Sequence, residues 1–511
     1  MVRPTRETER KYEVPPSADL SWLPGLDRVK GVATVVASGT EELEAVYYDT
    51  ADLRLFRSRA TLRRRTGGAD AGWHLKLPMT GDSREEIRSP LAADVPQPLL
   101  DLTRSRTRGA ELMPLVRIRT DRAVWRLADA EGAALAELAV DAVRGESLRT
   151  HAAPTAWREV EVESAGNETD PALLDAVEAG LREQGITRAQ SPSKLARALE
   201  ETGAASAGDR DRSEGLGGSA GEQVLAYVRK QVAALTVHDP AVRLDRPDAV
   251  HKMRVACRRL RSCLRSYRTV LNREVTDPVR DELKWLAGEL GAERDQEVLR
   301  ERLTDGVGAL PRELVLGPVT ARLQLWGVGR GDEAHRRTLD ALGSPRYLAL
   351  LDTLAGFVEK PPLRAKAGED ADRVMAKAVR KEFHRLAGRM DTALSLPPGD
   401  ERDAALHNAR KAAKRARYAA EAARGALGKP AKRLGRSVKA VQSVLGDHHD
   451  SVVARATLRE LAVAAATAGE SAFTWGLLYG REEAVAAARE RQARTAWNSA
   501  SKPTLRKRFS K

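Results

Sequence analysis

The chain has 511 residues, 42% of them hydrophobic, 31% charged and only 4% aromatic. That balance excludes a disordered polyelectrolyte, allows two or three domains, and suits helices rich in Ala and Leu. The net charge of +14 is uneven: residues 1–220 carry 31 Lys and Arg against 36 Asp and Glu (net −5), and residues 221–511 carry 55 against 36 (net +19). A polyanionic partner is therefore expected for the C-terminal part.

The N-terminus is charged at once and lacks an apolar signal core, and no apolar run reaches the ~18 residues of a membrane helix. The expected compartment is the cytoplasm. The first element, "ETERKYEV" from Glu7 to Val14, reads as a strand with Glu7, Glu9 and Lys11 on one face and Thr8, Arg10 and Tyr12 on the other. Neither face is apolar, so the strand either lies on the surface or borders a polar interior. The pattern recurs in short alternating segments: Arg63 and Arg65 in "TLRRRT", His74 and Lys76 in "WHLKLP", Arg84 and Glu86 in "SREEIR", Arg117 and Arg119 in "VRIRT", Glu137 and Asp141 in "ELAVD", and Glu159, Glu161 and Glu163 in "REVEVES". Leu75, Leu77, Ile118, Val160 and Val162 occupy the opposite faces. The expectation is a mainly antiparallel sheet whose charged faces are either the solvated outer faces of a sandwich or, with the apolar faces packed outward, the lining of a closed barrel, and sorting of basic and acidic faces by strand favours the second. A lumen with basic and acidic staves must hold a ligand that complements both signs, and an oligophosphate with a divalent cation does so.

Glu7-x-Glu9-x-Lys11, "YYDT" at Tyr47, "LRRR" at Leu62, "LK" at Leu75, the Glu159, Glu161, Glu163 ladder and "SPSK" at Ser191 resemble the CYTH domain, the triphosphate tunnel metalloenzyme fold. The resemblance covers residues 1–202 and implies an α+β domain built on an antiparallel eight-stranded β-barrel, the triphosphate tunnel. It implies phosphate contacts at Lys11, Arg63, Arg65, Lys76, Arg84, Arg117, Arg119 and Lys194, with Arg122 an alternative on the Arg117 strand. Carboxylates for Mg²⁺ or Mn²⁺ fall on Glu7, Glu9, Glu159, Glu161 and Glu163, followed by Glu86, Glu137 and Asp141. The catalytic set is Lys11, Glu159, Glu161 and Glu163, with a water-orienting base in the Glu159 to Glu163 cluster.

Residues 203–220 are rich in Gly, Ser and Ala without apolar periodicity and read as a flexible linker. From residue 221 to 500 the texture is all-helical. "HKMRVACRRLRSCLRSY" from His251 is matched by "HNARKAAKRARYAAEAA" from His407, and "LGAERD" from Leu290 by "LGDHHD" from Leu445; the intervals 251–407 and 290–445 differ by one residue. An internal duplication, repeats about 221–340 and 370–500, explains two motifs recurring in order. His251, Arg254, Arg258, Arg261, Arg265 and Arg268 share one helix face, opposite a buried stripe of Met253, Cys257, Leu260, Leu264 and Tyr267. No acid interrupts that face, although like charges at helical spacing repel, which points to an anionic ligand. Few aromatics or amides accompany it, so nucleic acid is not the expected partner. Cys257 and Cys263, the only cysteines, lie in the same predicted helix and suit a reducing compartment.

These motifs resemble the CHAD domain, an all-α duplicated four-helix bundle. The resemblance implies polyphosphate binding by His251, Arg254, Arg258, Arg259, Arg261, His407, Arg410, Lys411, Lys414, Arg415 and Arg417, and association with polyphosphate granules. Asp295 and Asp450 are expected to orient these bases, and "DHHD" at Asp447 to be structural. Residues 501–511 form a basic tail. The leading expectation is a divalent-metal-dependent inorganic triphosphatase or short-chain polyphosphate hydrolase with a helical polyphosphate-binding module. A non-catalytic polyphosphate anchor is the alternative. Adenylyl cyclase or thiamine-triphosphate chemistry, also found among CYTH proteins, needs an aromatic platform, and Trp73 and Trp157 read as core residues.

Overall fold

The structure, a computed structural model, describes residues 3–15, 18–79, 83–165, 171–204, 218–506 and 509, the side chains of 3, 4, 6, 7 and 506 excepted. The chain divides into two compact units, Met1–Glu214 and Gly215–Lys511. Most of the expected linker, and four residues of the basic tail, lie outside the described residues.

The first unit is built on strands β1 (Arg3–Val14), β2 (Thr34–Asp49), β3 (Thr61–Thr66), β4 (Gly72–Pro78), β5 (Ser83–Ser89), β6 (Met113–Ala128), β7 (Ala134–Ser147) and β8 (Thr155–Ser164), with a two-residue β9 (Thr187–Arg188) beside β1. The order β5-β4-β3-β2-β6-β7-β8-β1, with β1 also pairing β5, closes an antiparallel eight-stranded barrel, as the sequence led us to expect. Closure removes the unpaired edges of an open sheet. Helices α1 (Arg54–Arg57), α2 (Gln97–Thr107), α3 (Pro171–Glu183) and α4 (Lys194–Glu201) decorate it. Alternation along β8 sends Val160 and Val162 outward, where they are buried with Leu173, Leu174, Val177 and Leu181 of α3. At one end the alternation serves another purpose: Val116 and Ile118 of β6, Val143 of β7 and Trp157 of β8 cluster with Leu195, Ala198 and Leu199 of α4, an apolar plug for the barrel.

The second unit is helical: α5 (Ala220–Arg243), α6 (Ala249–Ser266), α7 (Arg273–Gly308), α8 (Val319–Gly343), α9 (Pro345–Glu359), α10 (Ala371–Ser395), α11 (Asp400–Ala422), α12 (Arg424–Thr467), α13 (Phe473–Ala500) and a short α14 (Pro503–Arg506). Helices α5, α6 and α7 start at 220, 249 and 273, and α10, α11 and α12 at 371, 400 and 424, so the triplets repeat at a constant interval. Their leading ends meet reciprocally: Ala220 N donates to the Glu369 carbonyl at 2.9 Å and Ala371 N to the Gly218 carbonyl at 3.0 Å. The predicted stripe of α6, Met253 to Tyr267, is buried in the core shared by both triplets, and the Tyr267 hydroxyl donates to the Ala419 carbonyl of α11 at 2.8 Å. Among the described residues no helix is long and apolar enough to cross a membrane.

Candidate active site and polyanion cavity

Strand register assembles the charged lumen. Glu9 and Lys11 of β1 stand opposite Glu163 and Glu161 of β8, Glu137 and Asp141 of β7 opposite Glu163 and Glu159, and Arg122 of β6 opposite Asp141. Because side chains alternate with period two, this set points to one side of the sheet, where Glu9, Lys11, Arg122, Glu137, Glu161 and Glu163 line a cavity of about 270 Å³ and Asp141 and Glu159 are buried beside it. Lys194 enters from the first turn of α4, whose start is fixed by the Ser193 hydroxyl accepting the Ala196 amide at 3.1 Å.

Asp141, Glu159 and Glu161 are buried, with one oxygen each within 4.8 Å of the others, a group able to hold a metal ion. The Lys194 ammonium lies 2.8 Å from Asp141, 2.8 Å from Glu159 and 2.6 Å from Glu161. Arg122 clamps Asp141 through two bonds of 2.8 Å and reaches Glu161 at 2.6 Å, while Lys11 bonds Glu161 from the other side. Burial opposes charge on Glu161, but Lys11, Lys194 and Arg122 overcome it and hold the carboxyl well below its ordinary value. Burial likewise opposes charge on Lys194, yet Asp141, Glu159 and Glu161 keep the ammonium protonated well above the usual range. Glu9 follows the same logic: Lys11 and Lys76 outweigh burial and bring it down to about 2. On the facing wall Glu86 is fully buried, 2.9 Å from His74 Nδ1 and 3.8 Å from both Arg63 and Lys76. Arg63 also donates to the Tyr47 hydroxyl at 3.4 Å, and Arg65 pairs with Asp70 at 2.9 Å.

Of the residues expected to hold phosphate or metal, the tunnel gathers Glu9, Lys11, Arg63, Arg65, Lys76, Arg84, Glu161, Glu163 and Lys194, with Glu159 in the adjoining buried cluster. The Glu7 backbone pairs with Arg84, but its side chain lies outside the described residues. Arg117 and Arg119 require correction. Val116 and Ile118 belong to the apolar plug, which turns the two arginines to the outer face; Arg117 lies 3.2 Å from Glu146 and Arg119 2.9 Å from Glu44. The assumption that apolar residues face outward holds on β8 and reverses on this stretch of β6. Arg122, three positions beyond Arg119, is the inward arginine. Asp70 came without a sequence signal, whereas Tyr47 stood in the quoted "YYDT". Trp73 is buried, and Trp157 donates to Glu159 at 2.6 Å, so neither offers a stacking platform.

The helical unit contains a larger cavity, about 800 Å³, lined from α6 by His251, Arg254, Arg258, Arg261 and Arg265 and from α11 by His407, Arg410, Lys411, Lys414 and Arg415. Arg280, Arg294 and Arg302 of α7 join them; Asp295 and Asp450 are the carboxylates among the described lining residues. Glycine explains the paired "LG" motifs. A Cβ at Gly291 would stand 3.0 Å from the Arg254 guanidinium, which crosses there to reach Asp295 at 2.7 Å. Gly446 lies against Arg410 in the same way, with Asp450 at 3.7 Å. Crowding of like charge has the expected effect: burial, then Arg410, Arg258 and Arg254, bring Lys414 down to about 7. Burial, then Arg410 and His407, bring His449 down to about 4.

Arg259 and Arg417 are the exceptions in the predicted set. Arg259 turns to Glu421 at 2.9 Å, and Arg417 donates to Gln442 at 3.0 Å, so neither lines the cavity. The neighbouring histidines of "DHHD" diverge. His448 is buried 3.2 Å from Asp403, in keeping with a structural role, while His449 faces the cavity with its Nδ1 3.1 Å from that of His407.

Comparison with known proteins agrees with this two-part construction. The CYTH domain matches residues 5–199 and the CHAD domain residues 226–459. Two Mycobacterium tuberculosis proteins, MT2285 of strain CDC 1551 and Rv2226 of strain H37Rv, are each 40% identical over 496 residues, covering 94% of this chain and 94% of theirs. Among solved structures, PptA from Streptomyces chartreusis is 23% identical with a TM-score of 0.48, covering 55% of this chain and 99% of that chain. The chain belongs to the CYTH–CHAD proteins, a triphosphate-tunnel domain followed by a CHAD helical domain.

Proposed function

We propose that the chain is a metal-dependent triphosphatase acting on inorganic triphosphate or short polyphosphate, with a helical cavity that holds a polyphosphate chain. The observation that carries this reading is the charge balance of the tunnel. Its described lining holds eight Lys and Arg against seven Asp and Glu. A triphosphate, with several negative charges of its own, enters such a balanced site only with added positive charge. The oxygen-rich group of Asp141, Glu159 and Glu161, with Glu9 and Glu163 nearby, has the donors a hard divalent cation needs. When bound, Mg²⁺ or Mn²⁺ supplies charge withdrawal at the phosphoryl oxygens. Lys11, Arg63, Arg122 and Lys194 bind the phosphates and stabilise charge that develops on the bridging oxygen. The carboxylate ladder from Glu159 to Glu163 orients the attacking water and accepts its proton.

In the helical cavity the surplus of cations over carboxylates is the attraction for a polymer without bases. Cytoplasmic polyphosphate, including its granules, is the ligand source this reading names. The variants Glu159→Gln and Glu161→Gln test the hydrolase half. Each keeps the shape and removes a negative charge, and phosphate release is expected to drop about 100-fold or more with the fold retained. Unchanged release would leave a binding protein, the anchoring alternative.

A further inference from the structure

The tunnel does not end at its own lining. Glu9, Lys11, Thr61, Arg84 and Ser193 also line a second space of about 480 Å³, so the two volumes adjoin across shared residues. The outer space is framed by the α1 turn and by the segment from Arg188 to Ser193. Its charge differs from that of the tunnel. Arg57, Arg59 and Arg188 join Lys11 and Arg84, and among the described residues Glu9 is its sole carboxylate.

Hydrogen bonds fix the backbone of the α1 turn at this mouth. The buried Asp49 carboxylate accepts the Thr50 amide at 2.7 Å and the Leu55 and Phe56 amides at 2.8 Å each, which fastens the α1 turn to the end of β2. Arg59 is held at φ +58°, a left-handed conformation uncommon for residues other than glycine. Across the opening, Arg188 lies 3.0 Å from Glu178, and Arg84 donates to the Pro192 carbonyl at 3.2 Å. The "YYDT" motif thus places Tyr47 inside the tunnel and uses Asp49 to aim two arginines at its entrance.

We infer that this mouth is a binding subsite for a linear phosphate chain running outward from the tunnel, so that the preferred substrate has more phosphates than the tunnel alone accommodates. The inference rests on the triphosphatase reading of the tunnel. Phosphate units beyond the third meet Arg57, Arg59 and Arg188, whereas a substrate ending at three phosphates does not extend to them. Phe56 also borders the mouth, and a nucleoside triphosphate stacked there is the competing occupant.

Displacement of radiolabelled triphosphate from the full-length protein, with Ca²⁺ as the cation, tests this without turnover. The competitors are unlabelled triphosphate, a chain of about ten phosphates, and ATP. The wild type is compared with the double variant Arg57→Ala, Arg59→Ala and with Phe56→Ala; chain taken up by the helical unit is common to all three and cancels. The longer chain is expected to displace the label more strongly than triphosphate, and the double variant to lose about five- to thirtyfold of that advantage with triphosphate affinity unchanged. An undiminished advantage in the double variant would overturn the inference and leave the tunnel reading intact. So would ATP as the stronger competitor, weakened by Phe56→Ala. Failure of triphosphate itself to bind would overturn the tunnel reading as well.

Discussion

At the residue scale the two sites solve opposite electrostatic problems. In the tunnel each buried charge has a counter-charge, and Glu9, Glu161 and Lys194 stay ionised despite burial. In the helical cavity cations outnumber carboxylates, and Lys414, brought from 10.5 to about 7, carries the strain. Above pH 7 it is largely neutral in the free protein. A bound polyanion favours its ammonium form, so binding takes up a proton, and affinity for polyphosphate should fall as pH rises from 7 towards 10, by less than tenfold per unit. For the unliganded fold the sign is reversed: between about 7 and 10.5 the unfolded state binds the extra proton, so stability rises with pH across that window. Titration of polyphosphate from pH 6 to 9 checks this. The slope should vanish in Lys414→Met, and persistence there would assign it to another group.

At the scale of elements, what could be read from the sequence depended on whether a face was uniform. Helix α6 carries six Lys or Arg and no acid; its basic face and buried stripe were both legible. Helix α7 interleaves Arg294, Arg300 and Arg302 with Glu293, Asp295, Glu297 and Glu301. Spacing alone could not show that Arg294 and Arg302 turn to the cavity, nor that His449 does while His448 does not. Strand β6 was misread because its apolar residues fill the barrel end against α4, a tertiary circumstance that local alternation cannot report. The inversion makes a direct prediction. Arg122→Ala should weaken triphosphate binding by about tenfold or more, as loss of a buried charge-assisted contact does, whereas Arg119→Ala should leave it within about twofold. Calorimetric titration with triphosphate decides, and equal losses in both variants would contradict the assigned register.

At the scale of the whole molecule, the antiparallel sheet and the helical duplication were legible because both leave periodic traces, alternation in one unit and recurring motifs in the other, whereas closure of the sheet into a barrel rested on its sorted charged faces and the resemblance of its motifs. The ligand paths within each unit were not legible, since they depend on which ends of the elements stay open. If the helical cavity holds polyphosphate mainly through its cations, affinity should drop by about 10³-fold or more between 50 and 200 mM salt, as release of condensed counterions requires for six or more charge contacts. A flat salt response would contradict the basic-cavity account. The central claim, that the tunnel hydrolyses triphosphate with a divalent cation, is tested most directly by phosphate release from inorganic triphosphate by the purified full-length protein. The assay runs with Mg²⁺ or Mn²⁺ and again with EDTA, beside ATP and thiamine triphosphate. The account predicts turnover of inorganic triphosphate well above the other two substrates and abolished by EDTA. Turnover that survives EDTA, or the absence of turnover while phosphate chains still bind, would contradict it.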